Sequence, residues 1–177
     1  ATDQTNDKYH DGDADEYAIN KVHLICYTSA GDAVQAFEYT PGSEDGNFVP
    51  SAETGITTSA MLKVQPVKSN VSKVLVLVNA ASAGLSIDGA TGTITYGGVQ
   101  YTKCDANGTI KDGSDNPLVI TNQDLTGGGD KFFMSNSPLS NGTNTTVLVD
   151  VEPKTTEAAA QADFRTVNVE RAVGKVT

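Results

Sequence analysis

The sequence predicts an all-β protein, a β-sandwich with Greek-key-like connections and one short helix. Three observations lead there. Apolar runs of strand length recur seven or more times along the 177 residues, separated by clusters of Gly, Asn, Asp, Ser and Thr that favour turns. The 17 glycines and the absence of Trp suit short strands joined by turns better than helices packed through leucine stripes. Only one stretch, Thr156 to Ala162, has the composition of a helix. A chain of this length buries a core sufficient for one domain.

Residues 1–18, rich in Asp, Asn and Thr, read as a flexible acidic leader. Ile19 to Tyr27 forms the first strand, with Val22, Leu24 and Cys26 on one face. Ala33 to Tyr39 is its hairpin partner across the turn Ser29-Ala30-Gly31-Asp32. Pro41 to Pro50 reads as a turn-rich loop, and Thr57 to Val67 as a strand that Pro66 restricts to an edge or an end. Val71 to Asn79 is the strongest strand. Val74, Val76 and Val78 share one face and Leu75 and Leu77 the other, so both faces are expected to be buried.

From Ala80 to Gln123 the sequence turns Gly-, Asp- and Asn-rich, and reads as a hairpin insertion with weak strands at Gly92–Tyr96, Val99–Lys103 and Leu118–Thr121. Gly97-Gly98 and Asn107-Gly108 supply its turns. Lys131 to Ser135 returns to the core, and Thr145 to Val151 follows as a strand. Thr155 or Thr156 caps the helix, and a final strand runs from Arg165 to Val176.

Twelve basic against 22 acidic residues give a net charge of −10. Such a surface argues against nucleic acid, whose phosphates need cations. It suits a soluble, partner-selective exterior. Catalytic signatures are absent from the sequence. The two histidines, His10 and His23, sit in the leader and on a strand, and no GxSxG, HExxH or phosphate-loop motif occurs. Gly127-Gly128-Gly129-Asp130 lacks the following Lys-Ser/Thr. The chain is therefore read as a non-enzyme without cofactor or metal.

Asp11-Gly12-Asp13-Ala14-Asp15-Glu16 alternates carboxylates like a calcium loop, but has no Gly at the sixth position and Val22 at the twelfth. Asp105-Ala106-Asn107-Gly108 places its Gly too early. Both read as solvated turns. Asn70, Asn107, Asn141 and Asn144 begin Asn-x-Ser/Thr sequons of the kind a chain this rich in Asn, Ser and Thr generates by chance. Cys26 reads as a buried free thiol, with a disulfide to Cys104 as the alternative.

Four segments carry a resemblance. They are Ile19-Asn20-Lys21-Val22-His23-Leu24, Val74-Leu75-Val76-Leu77-Val78-Asn79-Ala80, Phe133-Met134-Ser135-Asn136, and Val169-Glu170-Arg171-Ala172-Val173-Gly174-Lys175-Val176. In this order and spacing, over residues 19–177, they resemble the N-terminal domain of the type V (Bacteroidia-type) fimbrillins, the subunits of surface pili. The segment 80–123 matches nothing in that pattern.

The resemblance implies a transthyretin-like Greek-key sandwich and a structural subunit of a bacterial surface pilus that also supports adhesion. It implies a lipidated precursor, export through the outer membrane to the cell surface, and a protease cut with Ala1 as the new N-terminus. The cut removes a first strand, and a strand from another pilin subunit fills the groove by β-augmentation. Val167, Val169, Val173 and Val176 are expected to line that groove. A full subunit would carry a C-terminal domain beyond Thr177. Expected partners are other pilin subunits and a host or bacterial surface ligand, with membrane contact only through the precursor. The alternative is a surface adhesin or carbohydrate-binding module using the 80–123 segment, with Tyr96 and Tyr101 stacking on a sugar ring.

Overall fold

The structure, a computed structural model, describes residues 19–40, 46–49, 59–62, 67–121, 133–136, 148–163, 167 and 169–171. The described residues form an all-β sandwich with one short helix. Strands β1 (Val22–Thr28) and β2 (Ala33–Tyr39) form the expected hairpin, paired from Val22↔Tyr39 to Tyr27↔Ala33. Gly31 turns the chain at φ 92°, a left-handed conformation that costs glycine least. The turn closes through Thr28, whose backbone N–H donates to the Asp32 carbonyl at 2.9 Å and whose hydroxyl accepts from the Asp32 N–H at 3.2 Å.

The stretch 41–50, read as a loop, contains β3 (Gly46–Val49), which pairs antiparallel with β4 (Ser59–Leu62). Gly46 and Asn47 are poor strand formers, so pairing rather than propensity makes this strand. Beyond the hairpin, β5 (Val71–Val78) returns to lie beside β1 on the side away from β2, from Val22↔Val78 to Thr28↔Val71. A strand that returns to flank the first is the Greek-key move.

Both faces of β5 are buried, as its sequence requires. Leu75 and Leu77 join Ile25 and Tyr27 on one face, all at 0% exposure. Val74, Val76 and Val78 join Val22, Cys26 and Tyr39 on the other, with Leu24, Val34 and Phe37 half-buried beside them. Each fully buried Leu or Ile contributes about 2–3 kcal/mol, so β1 and β5 anchor the fold.

After β5, Asn79 adopts φ 58° and starts a 3-10 turn at Ala80–Ala83, which Gly84 ends at φ 75°. Four strands follow as an antiparallel meander: β6 (Ser86–Ile87), β7 (Ile94–Tyr96), β8 (Val99–Cys104) and β9 (Ile110–Asp112). Gly97 and Gly98, both at positive φ, form the two-residue connection of β7 and β8. The hairpins expected in 80–123 are there, and their inward residues Leu85, Ile94, Tyr101, Cys104 and Ile110 pack on the Ile25–Leu75 face. This segment therefore forms the opposing layer of the sandwich. Leu118 to Thr121, expected as a strand, runs outside the ladder while Leu118 and Ile120 plug the core. The short strands β6 and β9 escaped the sequence reading because two or three residues carry no periodicity.

On the outer edge of β5 lie two very short strands, β10 (Met134–Ser135) and β11 (Val149–Asp150). The helix α1 (Glu157–Ala162) follows, capped by the Thr156 hydroxyl, which accepts from the Ala159 N–H at 3.2 Å. The last described strand, β12 (Glu170–Arg171), pairs with β10. The main sheet is thus ordered β12-β10-β5-β1-β2, with β11 beside β10 on β5.

Candidate functional site

The two flanks of the β5-β1-β2 strands differ in construction, and the outer flank of β5 defines the candidate site. On the β2 side the meander meets the edge at Gln35 and Ala36. The Ala36 N–H donates to the Gly89 carbonyl at 2.9 Å, and the Lys68 ammonium caps the Val34 carbonyl at 3.0 Å. Gly92 lies so close to Gln35 that a Cβ there would stand 2.8 Å from the Gln35 carbonyl oxygen. At the hairpin end, the Cys104 N–H donates to the Gly31 carbonyl at 2.8 Å, joining the two sheets.

The β5 side is assembled from fragments. Met134 and Ser135 pair with Val78 and Leu77, while Val149 and Asp150 pair with Val74 and Lys73. Between them the Asn136 side chain takes the place of a peptide group. Its Oδ1 accepts from the Val76 N–H at 2.9 Å, its Nδ2 donates to the Val74 carbonyl at 3.4 Å, and its own N–H donates to the Val76 carbonyl at 3.3 Å. One asparagine therefore satisfies both backbone groups of Val76, which neither short strand reaches, and adds a bond to the Val74 carbonyl beside β11.

Two of the residues expected to line an acceptor groove fall here. Val167 and Val169 are half-buried and pack against the valine face of β1 and β5, just before β12 pairs Arg171 with Met134. Val173, Val176 and Ala1 lie outside the described residues. The Phe133-Met134-Ser135-Asn136 segment divides its side chains between faces: Phe133 is fully buried in the core beneath the meander, and Met134 joins the valine cluster. Nothing in the sequence marked Asn136 as the clamp, because its role depends on a strand sixty positions away in the chain.

Other candidates resolve into structural roles. Tyr101 points inward at 8% exposure, and Tyr96 packs on the same cluster while its hydroxyl accepts from the Thr121 N–H at 3.1 Å. Neither forms the open stacking platform expected of them. Cys26 and Cys104 are free thiols in different clusters, Cys26 in the valine cluster and Cys104 in the core beneath the meander, so they do not pair. Burial raises both thiols, Cys26 to about 11.

His23 is buried against Leu77, and its Nε2 lies 3.1 Å from the Glu38 carboxylate, which also holds Lys21 at 2.9 Å. Its Nδ1 is buried without a partner. Burial lowers the histidine pKa, against the opposing pull of Glu38.

The Asp105 carboxylate is spent within its own turn. It accepts from the Asn107 and Thr109 N–H groups at 2.9 Å each and pairs with Lys111 at 3.4 Å. Burial raises its pKa, and these donors outweigh burial to give a net lowering. The Asp11–Glu16 cluster, His10, Gly127–Gly129, Asn141 and Asn144 lie outside the described residues, while Asn70 and Asn107 are exposed in turns. Among the described residues no three His, Cys, Asp or Glu side chains converge as metal ligands, and no helix is long and apolar enough to cross a membrane. Compared with protein-family models and with curated proteins, the chain finds no match.

Proposed function

We propose that this chain is a structural subunit of a bacterial surface pilus, assembled by strand exchange along the outer edge of β5. One observation carries the reading: the outer side of β5 is covered by two dipeptides and a side-chain amide and not by one continuous strand. Two-residue strands contribute few ladder hydrogen bonds, so an incoming strand has few of them to displace. Their displacement exposes the N–H and C=O row of a strand whose alternate residues, Val74, Val76 and Val78, belong to a continuous apolar face. That combination suits an incoming strand with alternating apolar residues, which gains main-chain bonds from the edge and specificity from the face.

The order of the four fimbrillin-like segments supports the same reading, since two of them, at Met134 and Arg171, pair with each other on this edge. The wider expectations belong to the proposal: a lipidated precursor, proteolytic maturation, other pilin subunits as partners, a surface location and a contribution to adhesion.

The test uses cells that produce the protein. Antibody raised against residues 19–177 is expected to label surface fibres, and unboiled surface extracts to give a detergent-resistant ladder that collapses to one band on boiling. A single band with and without boiling, and no labelled fibres, would overturn the proposal.

A further inference from the structure

The outer face of the meander presents a feature that assembly at β5 does not use. Ser86 stands opposite Thr95, and Thr95 opposite Gln100, so their side chains form one row across β6, β7 and β8. Ile94, the neighbour of Thr95, points the other way and is fully buried, which fixes this row on the outward face. Asp88, Thr91 and Thr93 rise beside the row from the turn joining β6 to β7, and together they line a groove of about 560 Å³ with Ile87 as its one apolar member. That volume falls within the span of small-ligand sites, about 300–1,000 Å³.

The turn is built to hold its shape. The Gly92 N–H donates to the Asp88 carbonyl at 2.8 Å and the Asp88 N–H to the Thr93 carbonyl at 3.0 Å. The Asp88 Oδ1 accepts from the Ala90 N–H at 2.8 Å, and the Thr91 hydroxyl donates to the Thr93 hydroxyl at 2.9 Å. Gly89 and Gly92 fasten the same turn to the edge of β2. A polar surface fixed before binding loses little entropy on meeting a ligand. Meanwhile the side chains of Ser86, Thr95 and Gln100, and the Asp88 Oδ2, have no hydrogen-bond partner among the described residues.

The chemistry of the lining selects the ligand class. No Lys or Arg lines the groove, so an anion has no counter-charge there. A single carboxylate is too few for a calcium site, which takes six or more oxygens. Hydroxyls and an amide both donate and accept, the pairing that a neutral polyol needs. We infer that the groove of Ser86, Asp88, Thr95 and Gln100 binds a neutral saccharide unit of a surface glycan. This site lies on the opposite sheet from the β5 edge and does not rest on the pilus reading.

The test is a titration of the isotope-labelled protein with galactose, mannose and N-acetylglucosamine, followed by amide chemical shifts. Glucuronate and glucose 6-phosphate serve as charged controls. At least one neutral sugar is expected to give saturating, millimolar shifts confined to residues 86–100 and to the β2 segment packed beneath them. Thr95→Val and Gln100→Ala should each weaken that binding about tenfold; both side chains face outward, so the fold is retained. The inference is overturned by shifts that fail to saturate for every neutral sugar, by shifts centred elsewhere, by charged sugars binding as well, or by variants that bind like the parent.

Discussion

His23 and Glu38 face each other across β1 and β2, with Lys21 completing the group on the exposed side. The histidine is buried, its Nδ1 is orphaned, and burial holds its pKa below the ordinary 6.5. The unfolded chain therefore takes up a proton near pH 6.5 that the folded chain resists. The stability this group contributes is present above that pH and is lost as pH falls through the folded value. Acidification also reduces the net charge of −10 and its self-repulsion, which acts in the opposite sense. Comparison with a variant separates the two: melting temperature should fall more between pH 7.5 and pH 5 in the parent than in His23→Gln. Equal slopes would dismiss the His23 contribution.

Gly31 illustrates a different residue-scale constraint. A Cβ at this position would stand 2.0 Å from the Cys104 carbonyl oxygen, on a backbone already at φ 92°. Gly31→Ala is expected to cost about 3 kcal/mol or more in urea unfolding. Gly97→Ala shares a positive φ but meets nothing within 4 Å, and should cost only about 1 kcal/mol. The sequence announced a turn at both places. Only the sheet-to-sheet contact at Cys104 makes them unequal.

At the scale of elements, the outer edge of β5 is the informative construction. Removing the clamp with Asn136→Ala leaves the Val76 N–H and the Val74 carbonyl without their side-chain partner. The expected cost is about 1–3 kcal/mol, with hydrogen exchange accelerated at Val76 more than at Leu24, which lies on the other side of β5 within the β1 ladder. Uniform acceleration across the sheet would mean that Asn136 acts through global stability and not at the edge. The strands β1, β2 and β5 were legible because alternation over seven or eight residues is a strong local signal. The pairing of β3 with β4 was not, since Gly46-Asn47 contradicts it locally. The burial of Tyr101 was equally hidden, because Tyr at a strand position is equally consistent with an inward or an outward face until the opposing sheet is in place.

For the whole molecule, the two sheets and the two apolar clusters keep the cysteines apart. Cys26 faces the valine cluster and Cys104 the core beneath the meander, each with its thiol pKa raised by burial. The protein should therefore take up no iodoacetamide in its native state and two adducts in guanidinium, by intact mass without reductant. A disulfide-linked species under those conditions would contradict the arrangement.

The sequence by itself determined the β class, the central strand buried on both faces, the first hairpin, the capped helix and the acidic exterior. Each of these rests on signals carried within a few consecutive residues: period-two alternation, turn glycines, a hydroxyl before an alanine run. Only the tertiary structure decided that residues 86–112 form the opposing layer, that the outer side of β5 is covered by fragments, and that Asn136 stands in for a peptide. Those depend on backbone groups far apart in the chain finding one another, and a hydrogen bond between residues sixty positions apart leaves no period in the sequence.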